Sequence, residues 1–278
     1  MSHAPRLMRS LPKQAVLWLV TLAALLPGYV MISGAFKTQS DFARAPFSIP
    51  TSPTLHGFRT ALSDDFIRWV INSVILTAGS VVGVLILASL AAWGFAQRYF
   101  RGRETLLAVL VSLMVVPPVV LLIPLFGMGS DLNLVGTYEY VILIYVGFML
   151  PFSIYMLTNF FRTIPKPLIE AAVMDGAGQF RVFKGVVLPL SAAPLITLAV
   201  VNALWVWNEL LIALVFLNDD THRTLMIGIT GFQSRNNLDV PTIMAGLSLA
   251  SLPIVALYLF GQRFFVRGLV AGAIKGGE

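Results

Sequence analysis

The chain has 278 residues, of which 57% are hydrophobic and only 12% are charged, and its net charge is +6. Soluble domains carry about 45–50% apolar and about 25% charged residues, so the composition excludes an ordinary soluble domain and predicts a membrane protein. Cysteine is absent, which excludes disulfides, thiol nucleophiles and Cys-ligated metals.

Six apolar runs follow one another along the chain, and each is long enough to cross a hydrocarbon core of roughly 30 Å as a helix. They cover residues 15–36, 70–97, 105–127, 138–161, 186–217 and 244–262. We therefore predict an all-α, polytopic membrane protein with six transmembrane helices. The predicted divisions are a cytoplasmic tail with the first helix (1–36), an external loop (37–69), a transmembrane core (70–265) with an inner loop at 165–184, and a cytoplasmic tail (266–278).

Basic residues predict the orientation of these helices, because Lys and Arg flanks are kept on the cytoplasmic side. With both termini in the cytoplasm, thirteen of the 19 Lys and Arg residues fall on inner segments. The positive charge is thereby explained by topology, and we expect no nucleic-acid partner.

Glycine and proline mark particular points of the second and third helices. Gly79 and Gly83 form a G-x-x-x-G step, which permits close approach of a neighbouring helix. Pro117, Pro118 and Pro124 remove backbone donors and predict a kinked third helix. Ordinary tight packing and hinges of a transport pathway are both compatible with these features.

The residues needed for several kinds of chemistry are missing. No lysine directly follows a glycine, so the Walker A pattern G-x-x-x-x-G-K-[ST] is absent. His3, His56 and His222 lie outside the predicted helices, which excludes axial haem ligation there. We expect no catalytic residue, no metal site and no cofactor bound by this chain.

Glu209 is the candidate ionisable residue inside a predicted helix, whereas ion-coupled transporters usually show several. Its position along the fifth run places it in the outer half of the membrane. It can be a partly hydrated carboxylate near the external mouth or a pathway-lining residue, while proton coupling is the least favoured interpretation.

The inner loop at 165–184 carries the most informative pattern. Pro167 suits the first position of a helix, and Glu170 suits the positive helix start. Asp175 and Gly176 form a suitable stop, with a positive φ expected at Gly176. Ile169, Ala172 and Val173 would then share one face. The residues alone leave two alternatives open, a helix that packs back on the bundle and a helix that enters a partner's groove.

The same loop resembles the EAA loop of binding-protein-dependent ABC importer permeases. The resemblance rests on Glu170-Ala171-Ala172, Asp175-Gly176-Ala177, Phe183, Leu188-Pro189-Leu190 and Pro194. In that family the loop forms a coupling helix that sits in a cleft of the nucleotide-binding subunit. The resemblance implies an ATPase-coupling role for Glu170, Ala171, Ala172, Asp175, Gly176 and Ala177.

Other stretches are similar to the second permease of maltose-type importers, in the carbohydrate-uptake class. They include Asn72-Ser73, Trp207-Asn208-Glu209 and the Gly-rich tail that begins at Gly268. This resemblance implies a type I ABC importer transmembrane domain in the plasma (inner) membrane of a prokaryote. The implied partners are the lipid bilayer, a second homologous permease, two ATPase subunits that use ATP and magnesium, and an external solute-binding protein.

The resemblance also implies sites and a solute class. Asn202, Trp205, Asn208 and Glu209 are candidates to line the pathway, and Gly272, Lys275 and Gly276 are candidates to contact the ATPase. The external loop at 37–68 either docks the solute-binding protein or is an uninvolved surface. The expected solute is a sugar or sugar-like molecule. Alternatives are a permease for a non-sugar solute, an ion-coupled secondary transporter and a non-transporting scaffold.

Overall fold

The computed structural model describes residues 4–62, 65–217, 219–234 and 237–273, with side chains described for 13–62, 65–217, 219–232 and 239–262. These residues form helices joined by short connections, and two strands of two residues each. The helices are α1 (Ala4–Ala35), α2 (Gln39–Arg44), α3 (His56–Ala61), α4 (Phe66–Gln97), α5 (Arg103–Ser112), α6 (Pro118–Asp131), α7 (Tyr138–Phe161), α8 (Lys166–Met174), α9 (Gln179–Val182), α10 (Leu188–Leu190), α11 (Ala192–Asn208), α12 (Leu211–Phe216), α13 (Leu225–Thr230) and α14 (Val240–Ala273). The strands β1 (Gln233–Ser234) and β2 (Asn237–Leu238) pair antiparallel.

Four helical segments are each long and apolar enough to cross a bilayer without interruption. They are Lys13–Ala35 of α1, all of α4, all of α7 and Val240–Gln262 of α14. Two pairs of helices meet the same criterion together but are bent, α5 with α6 at 96° and the α9–α10 segment with α11 at 75°. When each bent pair is counted as one span, the described residues contain six candidate membrane spans, the number predicted from the sequence.

The third span breaks where the sequence places adjacent prolines. A 3₁₀ turn (Leu113–Val115) follows α5, Val116 and Pro117 are extended, and Pro118 then begins α6. Neither proline has an N–H to donate, and a residue before proline is pushed out of the helical region. The predicted kink is confirmed as a sharp bend, and Pro124 lies within α6.

The fifth apolar run is several helical pieces and not one continuous helix. It is preceded by α9 and a π-helical segment (Phe183–Val187), and Ser191 separates α10 from α11. A second interruption follows Asn208, where α11 ends, and α12 begins two residues later. Apolar composition predicts that a segment enters the membrane but does not report backbone register, so the sequence did not predict these breaks.

The chain divides into two compact units, and the first comprises Met1–Ile67 and Gly228–Leu252. The segment that follows α1 is organised around Lys37, a residue that is only 2% exposed. The ammonium group donates to the carbonyl oxygens of Ala45 at 2.8 Å and Pro46 at 3.0 Å, and to Ser48 Oγ at 3.3 Å. A buried cation in this position ties the residues after α2 back to the end of α1.

The second unit comprises Arg68–Ile227 and Pro253–Glu278. Its α4 and α7 approach each other closely at two glycines. A Cβ added to Gly79 would lie 2.7 Å from Ile142 Cδ1, and one added to Gly83 would lie 3.0 Å from Val146 Cγ2. The close approach predicted from the G-x-x-x-G spacing is therefore confirmed, and it occurs against α7.

Asn72, in the second turn of α4, holds the connection between α12 and α13. Its Nδ2 donates to the carbonyl oxygens of Thr221 at 2.8 Å and Arg223 at 2.9 Å, and its Oδ1 accepts from the Tyr138 hydroxyl at 2.7 Å. Within this connection, burial alone would raise the pKa of Asp219, but hydrogen bonds from His222 and Thr221 keep that pKa below its ordinary value. The connection is thus fixed by neutral and charged hydrogen bonds together.

Candidate functional site

The loop at 165–184 contains α8, which begins one residue earlier than its proline pattern predicts. Pro165 precedes the helix in an extended conformation, so Lys166 is the first helical residue and Pro167 the second. Glu170 is then the fifth residue, and the first turn holds no acidic residue. The prediction that Glu170 stabilises the positive helix start is therefore wrong, because that effect falls off beyond the first turn.

The end of α8 follows its prediction. Asp175 caps the helix, and Gly176 has φ +82. The Gly176 N–H donates to Val173 O at 2.9 Å and the Ala177 N–H to Ala172 O at 3.0 Å, which satisfies carbonyls that a helix end leaves unpaired. A glycine suits this position because the left-handed conformation brings Cβ of other residues too close to the backbone.

One face of α8 packs against the rest of the second unit, and the other face is exposed to solvent. Ile169 is buried in an apolar cluster that includes Phe161 and Val182, and Ala172 packs at its edge. Val173, which helical spacing places on the same side as Ile169 and Ala172, is exposed. The open face presents Glu170, Ala171, Val173, Met174 and Asp175.

The two acids of that open face are unpaired within the described chain. Neither Glu170 nor Asp175 forms a side-chain hydrogen bond or ion pair with a described residue, and Met174 beside them is 86% exposed. An apolar patch next to carboxylates without partners is chemically suited to contact another protein.

The four candidate pathway residues divide into different environments. Asn202 is buried, and its Nδ2 donates to Ser153 Oγ at 3.2 Å. Asn208 is exposed, and its Nδ2 donates a hydrogen bond to the carbonyl oxygen of Leu204 one turn earlier, at 2.7 Å. The structure therefore brings Asn208 to the surface of the chain and keeps Asn202 inside it.

Trp205 lies on the same exposed side of α11 as Asn208. The residue is 37% exposed, and its ring has Tyr145 edge-on at 5.6 Å and 86° and Phe148 tilted at 6.5 Å. Aromatic neighbours at these distances and angles fix the ring plane. The result is a partly open indole one turn before the break at Glu209.

Glu209 is half-buried and holds the break between α11 and α12. Its Oε1 accepts the N–H of Ile212 at 2.8 Å, and its Oε2 accepts the N–H of Ala213 at 3.1 Å and the hydroxyl of Tyr145 at 2.8 Å. A carboxylate at this place satisfies donors that the start of α12 leaves open and matches its positive end. Neither a partly hydrated carboxylate nor a pathway-lining residue, the two alternatives from the sequence, includes this role, because the break of the helix had not been predicted.

The remaining site predictions concern the tail and metals. Gly272 lies in the last turn of α14, whereas Lys275 and Gly276 lie outside the described residues. Among the residues that the structure describes, no group of three or more His, Asp or Glu side chains could hold a metal ion.

A family model covers most of this architecture. Residues 84–271 match the binding-protein-dependent transport system inner membrane component, a segment that includes the C-terminal part of α4, α8, the Glu209 break and most of α14. The chain belongs to this family of inner membrane permeases. As a permease, it is a component of the transport system that lies in the membrane.

Curated relatives cover nearly the whole length of the permease. It is 41% identical to the putative ABC transporter permease protein ORF2 of Caldicellulosiruptor sp., over 92% of this chain and 94% of the relative. It is 32% identical to the melibiose/raffinose/stachyose import permease protein MelC of Bacillus subtilis, over 93% and 94%. It is 34% identical to the trehalose transport system permease protein SugB of Mycobacterium tuberculosis, over 93% and 95%.

The fold of the permease also matches a solved transporter. A chain of a bacterial ABC transporter involved in the import of the acidic polysaccharide alginate aligns with a TM-score of 0.79 and 21% identity, over 95% of this chain and 99% of that chain. The predicted importer transmembrane fold is thereby confirmed.

Proposed function

We propose that this permease forms one half of the translocation pathway of an ATP-driven importer and that α8 is its coupling helix. Its partners are a second, homologous permease and two ATPase subunits, which bind ATP and magnesium. This proposal rests on the geometry of α8. One side of the helix packs into the apolar cluster through Ile169 and Ala172, and the other side is exposed to solvent. A short helix anchored on one face can enter a groove of a partner on the other.

The small and charged residues of α8 suit such a contact. Ala171 is exposed and allows a partner's backbone to come close, while Glu170 and Asp175 offer carboxylates that no described residue uses. Gly176 has open space around it, because an added Cβ would meet no atom within 4 Å. Changes here therefore act on the partner's surface more than on packing within this chain.

We propose a sugar or a sugar-like molecule as the solute. Relatives that match almost the whole chain are import permeases for melibiose, raffinose and stachyose and for trehalose. Trp205 and Asn208 fit this class, since an open indole face and an amide together suit a solute with both apolar C–H faces and hydroxyl groups. These two residues line the pathway, while Asn202 and Glu209 maintain the helix that carries them.

We further propose that both termini are cytoplasmic and that the external loop at 37–68 docks a solute-binding protein. The related alginate transporter has been solved in complex with an alginate pentasaccharide-bound periplasmic protein, with a TM-score of 0.68 and 18% identity to this chain. In this arrangement, the C-terminal residues Gly272, Lys275 and Gly276 lie on the ATPase side.

The test uses the complete complex, reconstituted in proteoliposomes with its binding protein. Gly176→Val forces a β-branched residue into φ +82, a strain of about 1–2 kcal/mol, and adds bulk to the docking surface. Glu170→Ala removes a carboxylate that has no bond within the described chain. We expect both variants to assemble while uptake and the ATP hydrolysis stimulated by loaded binding protein fall.

Gly136→Val is the matched control, because Gly136 has φ +90 and an added Cβ there would also meet no atom within 4 Å, but it lies between α6 and α7. It imposes the same backbone strain at a place away from α8, so stimulated hydrolysis per assembled complex should be retained. Full stimulated hydrolysis and uptake in both the Gly176 and Glu170 variants would show that α8 is not the coupling helix. Uptake that proceeds without the ATPase subunits would support an ion-coupled transporter instead.

A further inference from the structure

An ion pair joins the start of α5 to the end of α7. The Arg162 guanidinium contacts both carboxylate oxygens of Glu104, with NH2–Oε1 at 2.7 Å and NH1–Oε2 at 3.4 Å. Arg103 contacts Oε1 from the adjacent position and also lies over the ring of Tyr99 at 4.9 Å. The pair thus connects α5 to the end of α7 through two residues that lie 58 positions apart in the sequence.

Arg162 lies in the chain just before α8. It follows the last residue of α7, and only Thr163, Ile164 and Pro165 separate it from the first residue of α8. Ile164 in this short connection is buried, so the connection is anchored and does not swing freely. A displacement of α8 must therefore act on Arg162 within three residues.

The same two helices are also in apolar contact. Leu107 of α5 belongs to the apolar cluster that contains Leu157 and Phe161 of α7. Such contacts are non-directional and permit sliding, whereas a guanidinium with two bonds to a carboxylate has a defined orientation. Glu104 has 62% of its side chain exposed and Arg162 has 30%, so the pair contributes little to stability.

We propose that Glu104 and Arg162 are positioning residues that pass the movement of α8 to the third membrane span. The pair fixes the cytoplasmic end of α5 to the connection that precedes α8. The third span consists of α5 and the longer α6, with a bend of 96° between them. A shift of α8 thereby changes the position of α5 relative to its bend. This inference rests on the proposed role of α8 as the coupling helix.

The experiment measures solute transported per ATP hydrolysed in the reconstituted complex. Glu104→Arg and Arg162→Glu each place like charges together, and the double variant restores the pair with its charges exchanged. We expect each single variant to assemble and to lower this ratio by at least about fivefold, the lower end of typical coupling between sites. The double variant should return to within about twofold of the unaltered complex.

Two further sets of variants keep the result decisive. Glu104→Gln and Arg162→Gln each remove the ion pair without placing like charges together. They are measured in place of the charge-reversal variants if those variants impair assembly of the complex. Arg103→Gln is the control, because it removes the neighbouring cation while the Arg162 contact stays, and it should leave the ratio unchanged.

An unchanged ratio in the neutral variants would overturn the proposal. So would a loss confined to the Arg162 variants, or a double variant as impaired as the worse single one, because each would show that the residues act separately. Failure of this inference is distinguishable from failure of the proposed function. If Gly176→Val abolishes stimulated hydrolysis and the Glu104 variants keep a normal ratio, α8 is the coupling helix and the ion pair is not part of the route.

Discussion

Removal of the Glu209 carboxylate should destabilise the permease through two separate losses. Glu209→Ala takes away the acceptor for the N–H groups of Ile212 and Ala213, and loss of a helix cap costs about 0.5–2 kcal/mol. It also leaves the hydroxyl of Tyr145, a residue that is 1% exposed, without its partner, which costs about 1–3 kcal/mol. We expect a total of about 2–4 kcal/mol.

The second loss predicts a reversal of sign in a double variant. Tyr145→Phe in the unaltered protein removes one hydrogen bond and should cost about 1 kcal/mol. In the Glu209→Ala background the same change removes an unpaired buried hydroxyl, so it should be neutral or stabilising.

The measurement is the midpoint of thermal unfolding of the purified protein in detergent, followed by size-exclusion chromatography. A loss of about 2–4 kcal/mol corresponds to a decrease of about 4–8 °C for a chain of this size. Asn208→Ala is the control, because Asn208 is exposed and its side chain bonds only to the preceding turn, so its midpoint should stay nearly unchanged. If the costs of Glu209→Ala and Tyr145→Phe simply add, the two groups are not coupled and the reasoning fails.

Two other predictions concern the segment after α1 and the topology. Lys37→Met removes a charged donor that the carbonyls of Ala45 and Pro46 share, a loss of about 1.5–3 kcal/mol, and should accelerate trypsin cleavage after Arg44; an unchanged cleavage rate would contradict the role of Lys37. Because the chain has no cysteine, single variants report topology without background labelling. Gly178→Cys should react with a membrane-impermeant thiol reagent only from the cytoplasm and Asp131→Cys only from outside, and the opposite pattern would reverse the proposed orientation.

The sequence predicted those features that follow from local chemistry. Apolar length located the spans, adjacent prolines located the bend before Pro118, and Gly176 located the end of α8, because each acts on its own backbone. The G-x-x-x-G step at Gly79 and Gly83 likewise predicted close approach, although not that the neighbour would be α7.

Features that depend on distant partners could not be predicted in this way. The role of Glu209 depends on a contact with Tyr145, which lies 64 positions away in the sequence. The role of Glu104 likewise depends on a contact with Arg162, which lies 58 positions away. The exposure of Val173 could not be predicted either, since helical spacing predicts which residues share a face but not how far the neighbouring cluster reaches.

The π-helical segment Phe183–Val187 affects how the preceding helix α9 is oriented relative to the fifth span. A π turn holds about one residue more than an α turn, and each α-helical residue accounts for about 100° of rotation. The side chains of α9 therefore face a direction about 100° away from the one that an unbroken α-helix would give them. Gly185 lies at the centre of the segment, and a Cβ added there would meet no atom within 4 Å. The extra residue thus helps to determine that Val182, and not another residue of α9, is buried in the apolar cluster of the second unit.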